Sequence, residues 1–316
     1  MNSTRKPIVV VGSINMDLVA HIHVIPVPGQ TVIGTGFDTT PGGKGANQAV
    51  AVARLGYPGT HSHSVAMIGC VGSDVFGQAL LDNLTQAGVG VSGVTRVSGP
   101  SGVAPILVDD KGQNSIVVVP GANGKVDIAA VDRHADLIRS AGMVLCQLEL
   151  PLSTVDHTIA LCAEAGVPVM LDPAPAAPLP DDVFTRIAWF TPNETEALLY
   201  TSPNASPETA ASELIAKGLA GVVLKRGAEG AYVATAQGLT AWVKPFKVQV
   251  IDTVGAGDCF NGAFAVALLE GLDPIAAARF ASAAAAISVT RRGAQASMPT
   301  RAEVDALLAE QTNQSS

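Results

Sequence analysis

Short, mostly apolar runs recur along this chain: 8–11 in "PIVVVG", 143–148 ("MVLCQL"), 167–171 ("VPVML"), 187–191 ("IAWFT") and 221–225 ("GVVLK"). A strand with one wet face alternates apolar and polar residues, so a strand apolar throughout needs cover on both faces. Helical stretches separate the runs, such as 153–165, closed by Gly166 and Pro168, and 207–217, closed by Gly218. Strand, helix, glycine, strand, repeated, predicts an α/β fold: a doubly wound, mostly parallel central sheet flanked by helices. The 316 residues are enough for one large α/β domain or two smaller ones. Aromatic residues make up only 4 % of the chain, so Ala, Val, Leu and Ile have to fill the core.

Two segments break the rhythm. Residues 17–38 read as two β stretches joined by a Pro/Gly turn, and 102–119 reads as a hairpin with its tip at 109–112. Together they predict a small β-sheet beside the main one, whose uncovered face calls for a ligand below it or a second copy of itself. Pro105 has no N–H to give a ladder and is expected at an edge or a bulge. Beyond residue 257 the pattern is helical, over 257–270 and 274–289, and the small residues of "ASAAAAISV" imply close helix packing.

Charge and sorting signals exclude several classes. Net charge is −8, with no Lys/Arg cluster, which argues against nucleic acid or an anionic membrane as a partner. No apolar stretch is long enough to span a bilayer, and Gly12, Asn15 and Asp17 break the first apolar run too early for a signal peptide. A cytoplasmic protein is therefore expected. Four scattered cysteines (Cys70, Cys146, Cys162, Cys259) without a C-x-x-C predict reduced, buried thiols. The pairs His21/His23 and His61/His63 could meet a metal but read more simply as exposed strand or loop histidines. The fingerprints of dinucleotide binding, of the phosphate-binding lysine loop, of the serine-hydrolase elbow and of the zinc-protease helix are all missing.

Residues 252–262, "DTVGAGDCFNG", open the first of the late helices. A helix starting near Gly257 leaves its first amides unpaired and its positive dipole end forward. Glycines there let an anion approach the backbone, so the amides of Gly255, Ala256, Gly257 and Asp258 form a candidate anion hole. Asp258 has two readings. It is an N-cap, or it is a carboxylate, held ionised by the same field, that takes a proton from a hydroxyl while the amides hold the charge of a moving phosphoryl group.

Residues 41–49, "PGGKGANQA", open another helix, at 47–55, around Lys44 and Asn47. Three glycines around a lysine exceed what a turn needs and suit a neutral polyol, bonded through backbone N–H and amide groups. Asn15 and Asp17 follow the first strand and Glu149 ends another, at the carboxyl ends where α/β sheets bind ligands. In "TPNETE", 191–196, Thr191 or Asn193 reads as a helix cap. Beside a triphosphate, Asn193 and Glu196 become candidates for holding phosphate oxygens and the waters of Mg²⁺.

Taken in chain order, "VVVGSINMD", "PVPGQTV", "GGKGANQAVAVARLG", "LDPAPA", "TPNETEA", "DTVGAGDCFNGAF" and "RRGAQASMP" resemble the ribokinase-like (PfkB) family of carbohydrate kinases over nearly the whole length. The resemblance implies a single α/β kinase domain over 1–316, with a β lid from segments at about 16–40 and 101–121 that also makes a homodimer contact. It implies ATP as donor, with Mg²⁺, and the 5-hydroxyl of D-ribose as acceptor. By position, Asn15, Asp17, Gly43, Lys44, Asn47 and Glu149 would hold the sugar, Asp258 would be the base, and Gly255, Ala256 and Gly257 the anion hole. Asn193, Lys225, Arg226, Gly227, Ala228, Glu229, Gly230 and Gly257 would line the nucleotide site, with Ser282 beside the adenine and Glu196 acting on Mg²⁺ through water. Asp252, Val254, Ser288, Arg291, Gly293 and Ser297 would hold a monovalent cation, usually K⁺, mostly through backbone carbonyls. A cation there would orient the amides of the loop and offset repulsion among phosphates.

Three positions depart from the family's pattern. Gln30 stands where "PGET" is common, Ser282 where a histidine or asparagine often touches the adenine, and Cys259 where Thr or Ser is usual. The last residue packs inward or offers an oxidisable thiol beside the site. A kinase for another pentose such as 2-deoxyribose, or for a nucleoside, is the near rival, and a non-catalytic sugar-binding regulator on the same fold is the distant one. Base, cradle and metal residues kept together speak against the regulator.

Overall fold

β1 (Ile8–Val11) seeds the central sheet. The computed structural model, which describes residues 6–56 and 65–314, buries all four of its residues: Val9 and Val11 face one core, Ile8 and Val10 the other. Strand side chains alternate between faces, so a sheet covered on both sides demands a run without a polar break. The chain continues through β2 (Asn15–His21), β3 (Gly36–Gly42), β4 (Val65–Gly72), β5 (Gly90–Val97), β6 (Gly102–Val108) and β7 (Asn114–Ile116). It then adds β8 (Met143–Gln147), β9 (Val169–Asp172), β10 (Trp189–Phe190), β11 (Gly221–Lys225), β12 (Ala231–Thr235) and β13 (Thr240–Val243).

Nine of these strands form the main sheet, in the order β13-β12-β11-β10-β9-β8-β1-β4-β5. Neighbours from β5 to β11 are parallel, and β12 and β13 return antiparallel at one edge. The runs predicted at 143–148, 167–171, 187–191 and 221–225 are β8, β9, β10 and β11. β4 lies beside β1 with all eight residues buried, yet it is not among the predicted runs, because Gly69 and Gly72 dilute its apolar signal. The helices Lys44–Leu55, Ala256–Leu269 and Pro274–Ser288 cover one face, and Leu152–Ala165 with Pro207–Ala216 cover the other.

A second sheet, ordered β3-β2-β6-β7, is built from the two segments that break the α/β rhythm. The predicted hairpin is β6–β7, and at its tip Asp109 Oδ1 accepts from the N–H groups of Lys111 and Gln113, both at 2.9 Å. Pro105, however, sits on an inner strand rather than at an edge or bulge. The ladder opens around it instead: β7 ends at Ile116, and opposite Pro105 only the Val117 N–H donates, to the Pro105 carbonyl at 3.0 Å. β2 pairs antiparallel with β3 but parallel with β6, with Asn15 opposite Gly102 and His21 opposite Val108, which joins segments distant in the chain.

All four cysteines are buried and unpaired. His21 bonds Asp38 at 2.9 Å and His23 bonds Asp110 at 2.8 Å, so neither faces a metal partner, while His61 and His63 lie outside the described residues. Among the described residues no helix is long and apolar enough to cross a membrane.

Candidate active site

The carboxyl ends of β1, β8, β9, β10 and β11 converge on the amino ends of two helices, Lys44–Leu55 and Ala256–Leu269. Gly43 and Gly255 precede these helices at φ of +89° and +74°, a conformation strained for any L side chain, and neither start carries a side-chain cap. Ala256 gives its N–H to the Thr253 carbonyl at 3.2 Å and so drops out of the predicted anion hole. The N–H groups of Gly255, Gly257 and Asp258 have no protein acceptor among the described residues. These residues line a cavity of about 730 Å³. Free amides at the positive end of a fourteen-residue helix are the features an anion site needs.

Asp258 is not the cap. It occupies the third helical position, is 6 % exposed, and receives the side-chain N–H groups of Asn47 (2.9 Å) and Gln48 (3.2 Å), one on each oxygen. Burial pushes its pKa from 3.8 to about 6; the Lys44 ammonium opposes the rise, Asp172 adds to it, and the two amide bonds restrain it. The helix field therefore does not hold the group in the ordinary carboxylate range, as the sequence suggested, because burial outweighs it. The result is a carboxylate ionised at neutral pH and still basic enough to take a proton. Lys44 stands among Asp258, Asp172, Glu149 and Glu196. Burial alone would lower its pKa, but the four carboxylates outweigh burial and keep the ammonium charged.

The residues predicted to hold a sugar gather on one side of Asp258. Glu149 Oε2 accepts from Ser13 Oγ at 2.5 Å and from the Lys44 N–H at 3.1 Å, fixing the turn that opens the Lys44–Leu55 helix. Asp17 is raised to about 7, first by burial and then by the charges of Glu149 and Asp258, which puts all three carboxylates within electrostatic reach of one another. Asn15 shares Asp17's face of β2. Asn47 Oδ1 is buried without a partner, an acceptor whose hydrogen bond is unmet.

On the other side the cavity is walled by Asn193, Glu196, Lys225, Gly227, Ala228, Gly230, Gly257 and Ser282, with Phe246, Val248, Val250 and Val289 as apolar walls. Arg226 and Glu229 are not on it. The Arg226 guanidinium pairs with Glu229 and with Glu194 (2.8 Å) and rests 5.6 Å over the Trp242 ring. Asn193 and Glu196 cap their helix reciprocally at 2.8 Å each way, which leaves one Glu196 oxygen free. Burial and then the Asp172 charge raise the Glu196 pKa.

Three residues that the sequence did not single out connect the two sides. Lys225 Nζ lies 3.0 Å from Asp172 Oδ1, Gln48 Nε2 donates to Asp172 Oδ2 at 3.1 Å, and Gln147 Nε2 donates to Gln48 Oε1 at 2.7 Å. The line Lys225–Asp172–Gln48–Asp258 thus ties the cavity wall to the carboxylate at the helix start. A carboxylate ending the buried run "VMLD" is costly unless paired, and that was the signal for Asp172. Gln48 and Gln147, uncharged amides in apolar surroundings, give none.

Behind the anion-site turn, the Asp252 carboxylate accepts the N–H groups of Val254 (3.0 Å) and Gly293 (2.8 Å). A Cβ on Gly255 would meet Ala294 at 2.9 Å, so the two loops touch. Ser288 and Ser297 are buried, and the Arg291 guanidinium turns away to Glu303, leaving only its carbonyl for the loop. One carboxylate with carbonyl and hydroxyl oxygens is an all-oxygen donor set, which fits a hard cation. Cys259 packs inward, buried, with its thiol pushed up to about 12 by burial, so the oxidisable thiolate is scarce.

Residues 5–301 match the pattern of the pfkB family carbohydrate kinases. The chain is 44 % identical over 304 residues to the ribokinase of Bacillus subtilis (96 % of this chain, 99 % of the relative). It is 41 % identical over 308 residues to the ribokinase of Schizosaccharomyces pombe (94 % and 96 %). The structure of Arabidopsis thaliana ribokinase complexed with ribose and ATP superposes with a TM-score of 0.87 at 36 % identity, covering 96 % of this chain and 98 % of that one.

Proposed function

Because the chain belongs to the pfkB family of carbohydrate kinases, we propose that it moves the γ-phosphoryl group of ATP to the 5-hydroxyl of D-ribose, giving ADP and ribose 5-phosphate. One observation carries the chemistry: a buried carboxylate with a pKa of about 6, Asp258, shares a helix start with three amides that have no protein acceptor. Asp258 takes the proton of the hydroxyl as its oxygen forms a bond to phosphorus. The bond from phosphorus to the ADP oxygen breaks, and the amides of Gly255, Gly257 and Asp258 hold the charge that spreads over the transferring group. Lys44, the cation between the sugar-facing and cavity-facing carboxylates, offsets the negative charge of the triphosphate where it meets the neutral sugar.

Asn15, Asp17, Gly43, Asn47 and Glu149 are assigned to the sugar, and Asn193, Lys225, Gly227, Ala228, Gly230 and Ser282 to the nucleotide. The free oxygen of Glu196 suits a water of hydrated Mg²⁺, which neutralises phosphate charge when bound with ATP. The oxygen set around Asp252 is assigned to K⁺, whose charge orients the neighbouring amides. Ile33 (89 % exposed) and Phe37 (64 % exposed) leave apolar surface open on the small sheet and its connecting loop, which supports a homodimer formed through this lid. Four buried, unpaired cysteines suit a reducing, cytosolic compartment. The test is a phosphorylation assay over pentoses, hexoses and nucleosides with ATP and Mg²⁺. Ribose should give the highest kcat/KM, well above 2-deoxyribose, and equal values for the two sugars would defeat the ribose assignment.

A further inference from the structure

Asn123, on the short turn of helix Gly121–Lys125, reaches the first residues after β1. It is 1 % exposed. Its Oδ1 accepts the N–H of Ile14 at 2.9 Å, and its Nδ2 donates to the Asn15 side-chain Oδ1 at 2.6 Å and to the Ile14 carbonyl at 3.3 Å.

This set of bonds has only one chemically consistent orientation. A backbone N–H can only donate, so the Asn123 atom facing Ile14 N has to be the oxygen. Its NH₂ then faces Asn15, and the Asn15 atom that meets it has to be an oxygen too. The flip of the Asn15 amide, ordinarily ambiguous, is thereby fixed from a main-chain anchor. Asn15 has no second oxygen, so the group left to face away from Asn123 is its NH₂. Asn15 shares the face of β2 that carries Asp17, and Asp17 feels the charges of Glu149 and Asp258. Space around the pair is closed as well: a Cβ on Gly102 would lie 2.2 Å from Asn15 Oδ1 and 2.3 Å from Asn123 Nδ2, so only glycine at 102 admits this contact.

We infer that Asn123 is a positioning residue that holds Asn15 with its NH₂ turned to the sugar, making Asn15 an obligate donor to one ribose hydroxyl. This rests on the assignment of Asn15 to the sugar. It adds an ordering to the pocket: Asp17, Glu149 and Asp258 supply acceptors there, and Asn15 supplies a side-chain donor of fixed direction. A sugar oxygen that accepts from Asn15 can still give its own proton to a neighbouring carboxylate.

Asn123→Asp tests it. An aspartate keeps an oxygen for Ile14 N–H but offers only acceptors to Asn15, which then turns its NH₂ back toward residue 123 and presents an oxygen to the sugar. The expected result is a fall in kcat/KM for D-ribose of about 10- to 100-fold, carried mainly by KM, with KM for ATP unchanged. Among 1-, 2- and 3-deoxyribose, the one lacking the contacted hydroxyl should lose little further activity. In an Asn15→Ala background the Asn123→Asp effect should disappear. An unchanged KM for ribose, a loss that persists in the Asn15→Ala background, or equal losses for ribose and ATP would overturn the inference. Should Asn123→Asp not fold, a neutron structure of the unaltered protein with ribose decides: Asn15 deuterons aimed at a sugar oxygen support the inference, and Asn15 Oδ1 aimed there ends it. If the unaltered protein does not phosphorylate ribose at all, it is the proposed function that fails, which separates the two outcomes.

Discussion

At the scale of single residues, the arrangement makes Asp258 answerable to experiment. Asp258→Asn keeps the shape but offers one accepting oxygen where Asn47 and Gln48 used two, and it cannot take a proton. It should lower kcat by about 10²–10⁴-fold while ribose still binds, as measured by steady-state kinetics beside calorimetry. The sign of the pH dependence follows from the raised pKa. The base works when ionised, so kcat/KM should be full well above pH 6 and fall about tenfold per unit as pH drops below it. Asp172 is one of the charges that raise this pKa, and its removal frees Lys225 as well, so Asp172→Asn should move the acidic limb to lower pH. A limb that stays in place would detach the Lys225–Asp172–Gln48 line from the base. Most charged members of the candidate site were legible in the sequence, because Lys44, Asp17 and Asp258 stand out among glycines and apolar residues. Asp172, Gln48, Gln147 and Asn123 were not. Their importance comes from facing particular partners between 99 and 210 positions away, which no local pattern records.

At the scale of elements, the pattern of apolar runs and glycine stops was enough to read a parallel sheet between helix layers, and helix starts fell within about three residues of expectation. Pairings between distant segments were not readable. The parallel match of β2 with β6, and the gap that lets Pro105 sit on an inner strand, depend on long-range register rather than local composition. One element makes a prediction of its own. The loop from Val289 to Ser297 is pinned to the anion-site turn through Asp252, and the two touch at Gly255 and Ala294. If K⁺ sits among those oxygens as proposed, it would hold the amides in line, so replacing K⁺ by Li⁺ should lower kcat by about 10-fold. That is a fraction of the ~10²–10³ lost when an oxyanion donor is removed outright. Equal rates in KCl and LiCl would remove the cation from that loop.

At the scale of the whole molecule, the homodimer proposed through the small sheet is open to test. If the protein assembles as proposed, Phe37→Asp, placed on β3 where the side chain stands open, should give monomers in sedimentation velocity where the wild type gives dimers, while leaving the fold intact by circular dichroism. A wild-type protein that sediments as a monomer would instead leave that apolar surface to a ligand or to another partner. The bond from Asn47 to Asp258 has a different consequence. It joins residues 211 positions apart, and the helix that carries Asp258 packs directly on the one that carries Asn47. During synthesis the cavity walls from Asn193 to Gly230 leave the ribosome before that late helix exists. A nascent chain can therefore hold much of the pocket and still lack the means to spend ATP, and the reactive centre switches on only when the last fifth of the polypeptide docks.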